Sequence, residues 1–153
     1  MPMFRHLLWT ALSVAALATL PAQGANLTAA RAQARASVPG FLSTWKAQPA
    51  GLGGYRVLAQ VRAGGKVESI WLDDFKATGA AFSAVLQSTP RGLPGLSSGQ
   101  TVTFTEADIV DWSYEDQAVG KLRGNHLQCA ELRDLPQAEY EEQVDYLGLI
   151  CGE

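Results

Sequence analysis

The chain has 153 residues, of which 47% are hydrophobic and 18% charged, and its formal net charge is −3. Twelve Lys and Arg residues are set against 15 Asp and Glu residues, and the basic residues form no run. This weakly acidic composition argues against a nucleic-acid partner, because neutralisation of phosphates by Lys and Arg supplies most of that affinity. It argues equally against binding to anionic membrane surfaces.

The first 24 residues are predicted to be a secretory signal peptide. Arg5 precedes an uninterrupted apolar run of 14 residues, 7–20, whereas a bilayer-spanning helix needs roughly 20. Small residues at Ala22 and Gly24 suit a cleavage site after Gly24. We therefore expect a periplasmic or secreted protein with no stable membrane anchor after cleavage, and one domain over residues 25–153. A buried helix or an uncleaved anchor is the alternative.

An Ala-rich helix is predicted over residues 26–48. Pro39 lies inside this range, and a proline removes a backbone donor and favours the first turn of a helix. We therefore expect two consecutive helical pieces, with Pro39 in the first turn of the second. The expected buried stripe consists of Ala30, Ala34, Phe41, Leu42 and Trp45.

From Tyr55 the apolar residues alternate with a period of two, which is typical of half-buried β-strands. Gly64 and Gly65 predict a tight hairpin turn, and the Pro/Gly/Ser-rich residues 89–99 predict an irregular loop. The expected strands cover residues 55–62, 66–73, 80–88, 100–105, 108–115 and 120–129.

A last helix is expected to start near Pro136 and to end at Gly148, with Tyr140, Val144 and Leu147 facing the core. The predicted fold class is therefore α+β. The elements suggest a strongly bent antiparallel sheet of five to six strands, a partial barrel, packed by an N-terminal and a C-terminal helix.

Cys129 and Cys151 are predicted to form a structural disulfide, since an even pair of cysteines in an exported chain is first read as a bond. Closing a loop of about 20 residues contributes roughly 3 kcal/mol of stability in the chain-entropy model. A redox-active pair is the alternative, but the chain has no Cys-x-x-Cys motif.

An unusual aromatic and acidic pattern recurs in the strand region. Residues 68–72 read Glu-Ser-Ile-Trp-Leu, and residues 108–114 read Asp-Ile-Val-Asp-Trp-Ser-Tyr, shortly after Gly-Gln-Thr-Val-Thr-Phe at residues 99–104. Together with Val-Pro-Gly-Phe at residues 38–41, this pattern resembles the YegJ-like family of bacterial domains of unknown function. The resemblance implies a fold type, and because the activity of that family is not established, it implies no catalytic residue.

The candidate binding residues come from the same pattern. A regular strand would place Asp108, Val110, Trp112 and Tyr114 on one face and Ile109, Asp111 and Ser113 on the other. Flat rings beside a carboxylate suit a ligand-binding groove. The predicted ligand-binding residues are Trp71, Asp111, Trp112 and Tyr114. The alternative is that both rings of the second segment are core residues and the acids cap turns or pair with arginines.

These residues favour a non-enzymatic binding module for a periplasmic protein or a small ligand. The competing hypothesis is a small cell-wall glycan hydrolase that uses Glu68 and Asp111 as acid and base. A third is an accessory domain with neither ligand nor turnover. His126 is the only histidine after residue 24, so a Ser-His-acid set or a zinc site with Cys129 would depend on it alone. We expect no cofactor and no metal.

Overall fold

The structure is a computed structural model that describes residues 22–152. Most of the expected signal peptide, residues 1–21, lies outside the described residues. The elements in chain order are α1 (Ala22–Ala47), β1 (Leu52–Ala63), β2 (Lys66–Asp73), β3 (Lys76–Thr78), β4 (Ala81–Val85), β5 (Thr101–Phe104), a 3-10 turn (Glu106–Asp108), β6 (Ile109–Asp116), β7 (Lys121–Gly124), α2 (His126–Leu132) and α3 (Gln137–Tyr146).

The strands form two antiparallel sheets, one in the order β2-β1-β6-β7 and one in the order β3-β4-β5. The α+β class is therefore confirmed, but a single bent sheet of five to six strands is not. The chain leaves the first sheet directly after β2, where Asp74 adopts a left-handed conformation with φ of 49°. The short strand that follows, β3, was not expected from the sequence.

The β1–β2 hairpin matches the expectation closely. Gly64 and Gly65 have φ values of 55° and 73°, and two consecutive positive values are what a two-residue type I′ turn requires. The register pairs Ala63 with Lys66 and continues to Arg56 opposite Asp73. Irregular backbone over residues 89–99 was also expected and is present.

The N-terminal helix is continuous through Pro39, so the expectation of two pieces was wrong. A proline inside a helix costs about 3 kcal/mol, and the burial of one face against the core offsets this cost. Ala30, Ala34, Val38 and Phe41 are all less than a tenth exposed. Leu42 and Trp45, which were expected on the same stripe, pack against the core from half-buried positions.

The core lies between α1 and the inner face of the four-stranded sheet, with the three-stranded sheet closing it. It is rich in aromatic rings, and Phe75 makes ring contacts with Phe41, Trp45, Phe82 and Phe104. The sheet supplies Val57, Ala59, Val61 and Leu72 from its inner face. We call the opposite side of the four-stranded sheet its outer face.

The last part of the chain differs most from the prediction. The expected strand over residues 120–129 ends at Gly124, because Gly124 and Asn125 are both left-handed, with φ of 84° and 52°. Two such residues turn the chain out of the sheet, and the remaining residues form α2 instead.

The C-terminal segment closes the edge of the first sheet. Gly148 O accepts a hydrogen bond from Leu122 N, and Ile150 N donates to Leu122 O, so this segment pairs in parallel with β7. Cys129 and Cys151 are bonded, with their Cα atoms 5.6 Å apart. The predicted stripe of α3 is half-buried rather than fully buried. Within residues 22–152, no helix is long and apolar enough to cross a membrane.

Candidate functional site

The acidic and aromatic residues of β6 are divided between the two faces of the sheet. Trp112 lies opposite Val57, Asp111 opposite Leu58, and Ile109 opposite Ala59, so two steps along β6 match one step along β1. This is a β-bulge at Val110, and it shifts the alternation by one residue. Ile109 therefore joins Trp112 on the inner face, whereas regular alternation predicted that it would share a face with Asp111.

Trp112 and Tyr114 belong to the aromatic core. The Trp112 ring stacks on Phe41 with centroids 5.1 Å apart and on Tyr114 at 5.7 Å. Its indole Nε1 donates a hydrogen bond of 2.9 Å to Ser37 Oγ. Tyr114 lies beside Tyr55, where burial, and secondarily the charge of Tyr114, raises the pKa of the Tyr55 hydroxyl. These contacts support the alternative that both rings are core residues.

Asp111 is fully buried, and three hydrogen bonds occupy its carboxylate. Oδ1 accepts from Trp112 N and lies 2.9 Å from His126 Nδ1, and Oδ2 accepts from Leu127 N at 2.9 Å. A side chain of β6 thus satisfies a free N–H in the first turn of α2, which is the usual task of an N-cap residue. Asn125, at the N-cap position itself, instead donates to Ser113 Oγ.

Asp108 caps the 3-10 turn. Its Oδ2 accepts from Thr105 N at 2.9 Å and from Thr105 Oγ1 at 2.8 Å, and its Oδ1 pairs with Arg62. Burial by itself would raise the pKa of Asp108, but the hydrogen bonds from Arg62 and Thr105 and the charge of Arg62 outweigh burial and lower it. Asp108 is therefore a turn-stabilising residue.

Glu68 and Asp111 are not brought together. Glu68 lies opposite Val61, on the inner side of β2, where its Oε2 accepts a hydrogen bond of 2.8 Å from Gly92 N. Asp111 is on the outer side of β6, so the sheet separates the two carboxylates. The contact of Glu68 ties the irregular loop of residues 89–99 to β2.

Trp71 and Asp111 do share a surface, a groove on the outer face of the four-stranded sheet with a volume of about 530 Å³. Leu58 lies between them, opposite Trp71 on one side and Asp111 on the other. We call this the outer groove. Its remaining lining residues are Arg56, Leu122, Asn125, Leu127, Gln128, Glu131, Leu147 and Leu149.

Arg56 is the charged residue at the β2 end of the outer groove. Its guanidinium carbon lies 4.3 Å from the centroid of the Trp71 ring, a cation–π arrangement. Its Nε is buried and has no hydrogen-bond partner among the described residues, and Asp73 Oδ1 is 3.9 Å away. The sequence prediction did not include Arg56. The one available signal was its spacing of two from Leu58, which places both side chains on one face of β1.

The fold and the groove define the class: an α+β domain with two antiparallel sheets and a groove on the outer face of the larger one. The chain belongs to a bacterial family described as an uncharacterized protein conserved in bacteria (DUF2314), whose model matches residues 25–149. The description of this family does not include the name YegJ-like, so that finer resemblance is not confirmed. Comparisons with curated proteins and with solved structures gave no match.

Proposed function

We propose that this protein is an exported binding module, and that the outer groove holds an extended segment of a partner protein that combines an acidic group with apolar side chains. The observation that carries the proposal is the Arg56–Trp71 pair, in which a buried guanidinium Nε has no hydrogen-bond partner within the described part of the chain and only a long ion pair with Asp73, at 3.9 Å. The Arg56 side chain is 36% exposed, so a ligand carboxylate can approach the guanidinium from the groove. A carboxylate there would form a charge-assisted hydrogen bond that the distant Asp73 does not provide.

The rest of the groove suits the apolar part of such a ligand. Leucines from β1, β7, α2 and the C-terminal segment surround it, and burial of apolar surface is the main source of affinity in concave sites. Trp71 offers a flat ring for contact. Asp111 contributes by fixing the first turn of α2, since its oxygens already accept three hydrogen bonds.

Export rests on the sequence of residues 1–24 and is supported by the Cys129–Cys151 bond, because disulfides persist in oxidising compartments. No observation favours the glycan hydrolase, since its two carboxylates lie on opposite faces of the sheet.

The test is a titration of the ¹⁵N-labelled protein with a pool of short peptides that contain one acidic residue flanked by leucines. We expect the indole N–H resonance of Trp71 to shift, while that of Trp45, which lies outside the groove, does not. Trp71→Ala and Arg56→Gln should abolish binding. Val67→Ala should not, because Val67 is on the same face of β2, is 54% exposed and does not line the groove.

A pool that leaves the Trp71 resonance unchanged would contradict the proposal. So would peptide binding that persists in both Trp71→Ala and Arg56→Gln. If small apolar acids shift Trp71 and the peptides do not, the groove holds a small ligand and the partner-protein proposal fails.

A further inference from the structure

A second cleft, separate from the outer groove, lies between α1 and α2 and has a volume of about 270 Å³. One wall consists of α1 residues at helical spacing, among them Ala29, Ala30 and Ser37. The other wall is formed by α2 and its C-cap residue, Arg133. His126 and Arg133 are seven residues apart, two helical turns, and both face the cleft. We call this the interhelix cleft.

The charge of the interhelix cleft is opposite to that of the protein. The chain carries a formal net charge of −3, yet the described residues that line the cleft include Arg133 and His126 and no Asp or Glu. Arg133 makes no side-chain hydrogen bond or ion pair with any described residue. Such a site favours an anion, because no carboxylate of the described residues forms an ion pair with its one guanidinium.

His126 is held in one orientation by Asp111. An ionised carboxylate can only accept hydrogen bonds, so the 2.9 Å contact between Asp111 Oδ1 and His126 Nδ1 requires the proton on Nδ1. The ring also meets Trp112 edge-on, with centroids 5.1 Å apart. Nε2 has no hydrogen-bond partner in the described part of the chain and is not among its buried, unpaired atoms. It is therefore open to the cleft.

The apolar part of the lining limits the kind of anion. The apolar part consists of Ala29, Ala30, Ile150 and the Cys129–Cys151 disulfide, and it lies beside the polar residues Asn26, Gln33 and Ser37. A phosphate would gain nothing from the apolar part. A carboxylate on a small apolar body matches both the charge and the walls.

We propose that the interhelix cleft binds a small organic carboxylate between Arg133 and His126. To donate from Nδ1 to Asp111 and from Nε2 to the ligand, His126 must carry both protons. The charged groups that face His126 are Asp111 from β6 and Arg133, which directly follows α2, and the α1 residues of the cleft carry no charge. A doubly protonated ring donates from both nitrogens and so holds the ligand carboxylate on the side opposite Asp111.

The test is calorimetric titration of the purified protein with benzoate at neutral pH. We expect saturable binding at one site. Arg133→Gln should weaken benzoate binding about 10-fold or more. Arg91→Gln, which makes the same change of charge at an exposed position outside the cleft, should leave it unchanged.

His126→Asn separates binding from folding. The Asn amide can still donate to Asp111, but it lacks the second nitrogen, so the variant should keep its urea midpoint and bind benzoate about 10-fold more weakly. Four results would overturn the proposal: no benzoate binding, equal affinity in Arg133→Gln and wild type, equal affinity in His126→Asn and wild type, or inorganic phosphate binding as tightly as benzoate. Benzoate binding should survive Trp71→Ala, which separates this cleft from the outer groove.

Discussion

At the scale of single residues, the two acidic residues of the 108–114 segment accept hydrogen bonds from backbone N–H groups. Asp108 accepts from the start of the 3-10 turn, and Asp111 accepts from the start of α2. A carboxylate that satisfies free N–H groups at an element's start stabilises that element by roughly 0.5–2 kcal/mol. A dense acidic and aromatic pattern is therefore explained here largely by folding, and the outer groove uses only part of it.

Replacement of Gly124 by even the small residue alanine should destabilise the protein strongly. Its φ is 84°, and a Cβ there would lie 2.2 Å from Trp112 O and 2.7 Å from the Trp112 ring. We expect Gly124→Ala to lower the free energy of unfolding by at least about 2 kcal/mol more than Gly120→Ala, because overpacking adds to backbone strain. Urea denaturation measures the difference.

Gly120 is a matched control, since its φ is 63° and a Cβ there meets nothing within 4 Å. Equal losses of stability in the two variants would contradict the close contact between Gly124 and Trp112.

At the scale of elements, α2 depends on contacts that are distant in sequence. It has seven residues, fewer than an isolated helix needs in water. Asp111 caps its first turn, its side packs against α1, and the disulfide joins Cys129 to the C-terminal segment. The same segment pairs with β7, so one covalent bond holds both a helix and a sheet edge.

The disulfide should therefore contribute strongly to stability. Its cysteines are 22 residues apart, and closing such a loop is worth roughly 3 kcal/mol in the unfolded chain. We expect the reduced wild-type protein to lose about this much free energy of unfolding in urea, with no side chain changed. The double variant Cys129→Ala/Cys151→Ala should be insensitive to reductant. Two free thiols in the protein as purified, or equal stability of the oxidised and reduced forms, would refute this prediction.

At the scale of the whole molecule, the redox state of the cellular compartment determines whether the Cys129–Cys151 disulfide forms. We expect cells that express the full chain to hold the protein in the periplasmic fraction, with a mass corresponding to an N-terminus at Ala25. Gly24→Leu should retain the leader, because cleavage requires a small residue at this position. A full-length mass in the cytoplasmic fraction would show that residues 1–24 are not a cleaved signal.

The sequence by itself determined the features that depend on neighbouring residues. The hairpin at Gly64 and Gly65, the bounds of β2 and the position of α3 follow from local conformational preferences and from periods of 2 and 3.6 residues. The cysteine pairing followed from there being only two cysteines.

Only the tertiary structure decided which side chains meet. Packing against the core kept α1 continuous through Pro39, and the bulge at Val110 placed Ile109 on the inner face with Trp112 instead of on the outer face with Asp111. Arg56 and Arg133 became candidates only through their neighbours in space, and His126 was considered from the sequence only for a catalytic set or a zinc site. The physical reason is that burial and strand register depend on contacts between distant segments, which local periodicity does not encode.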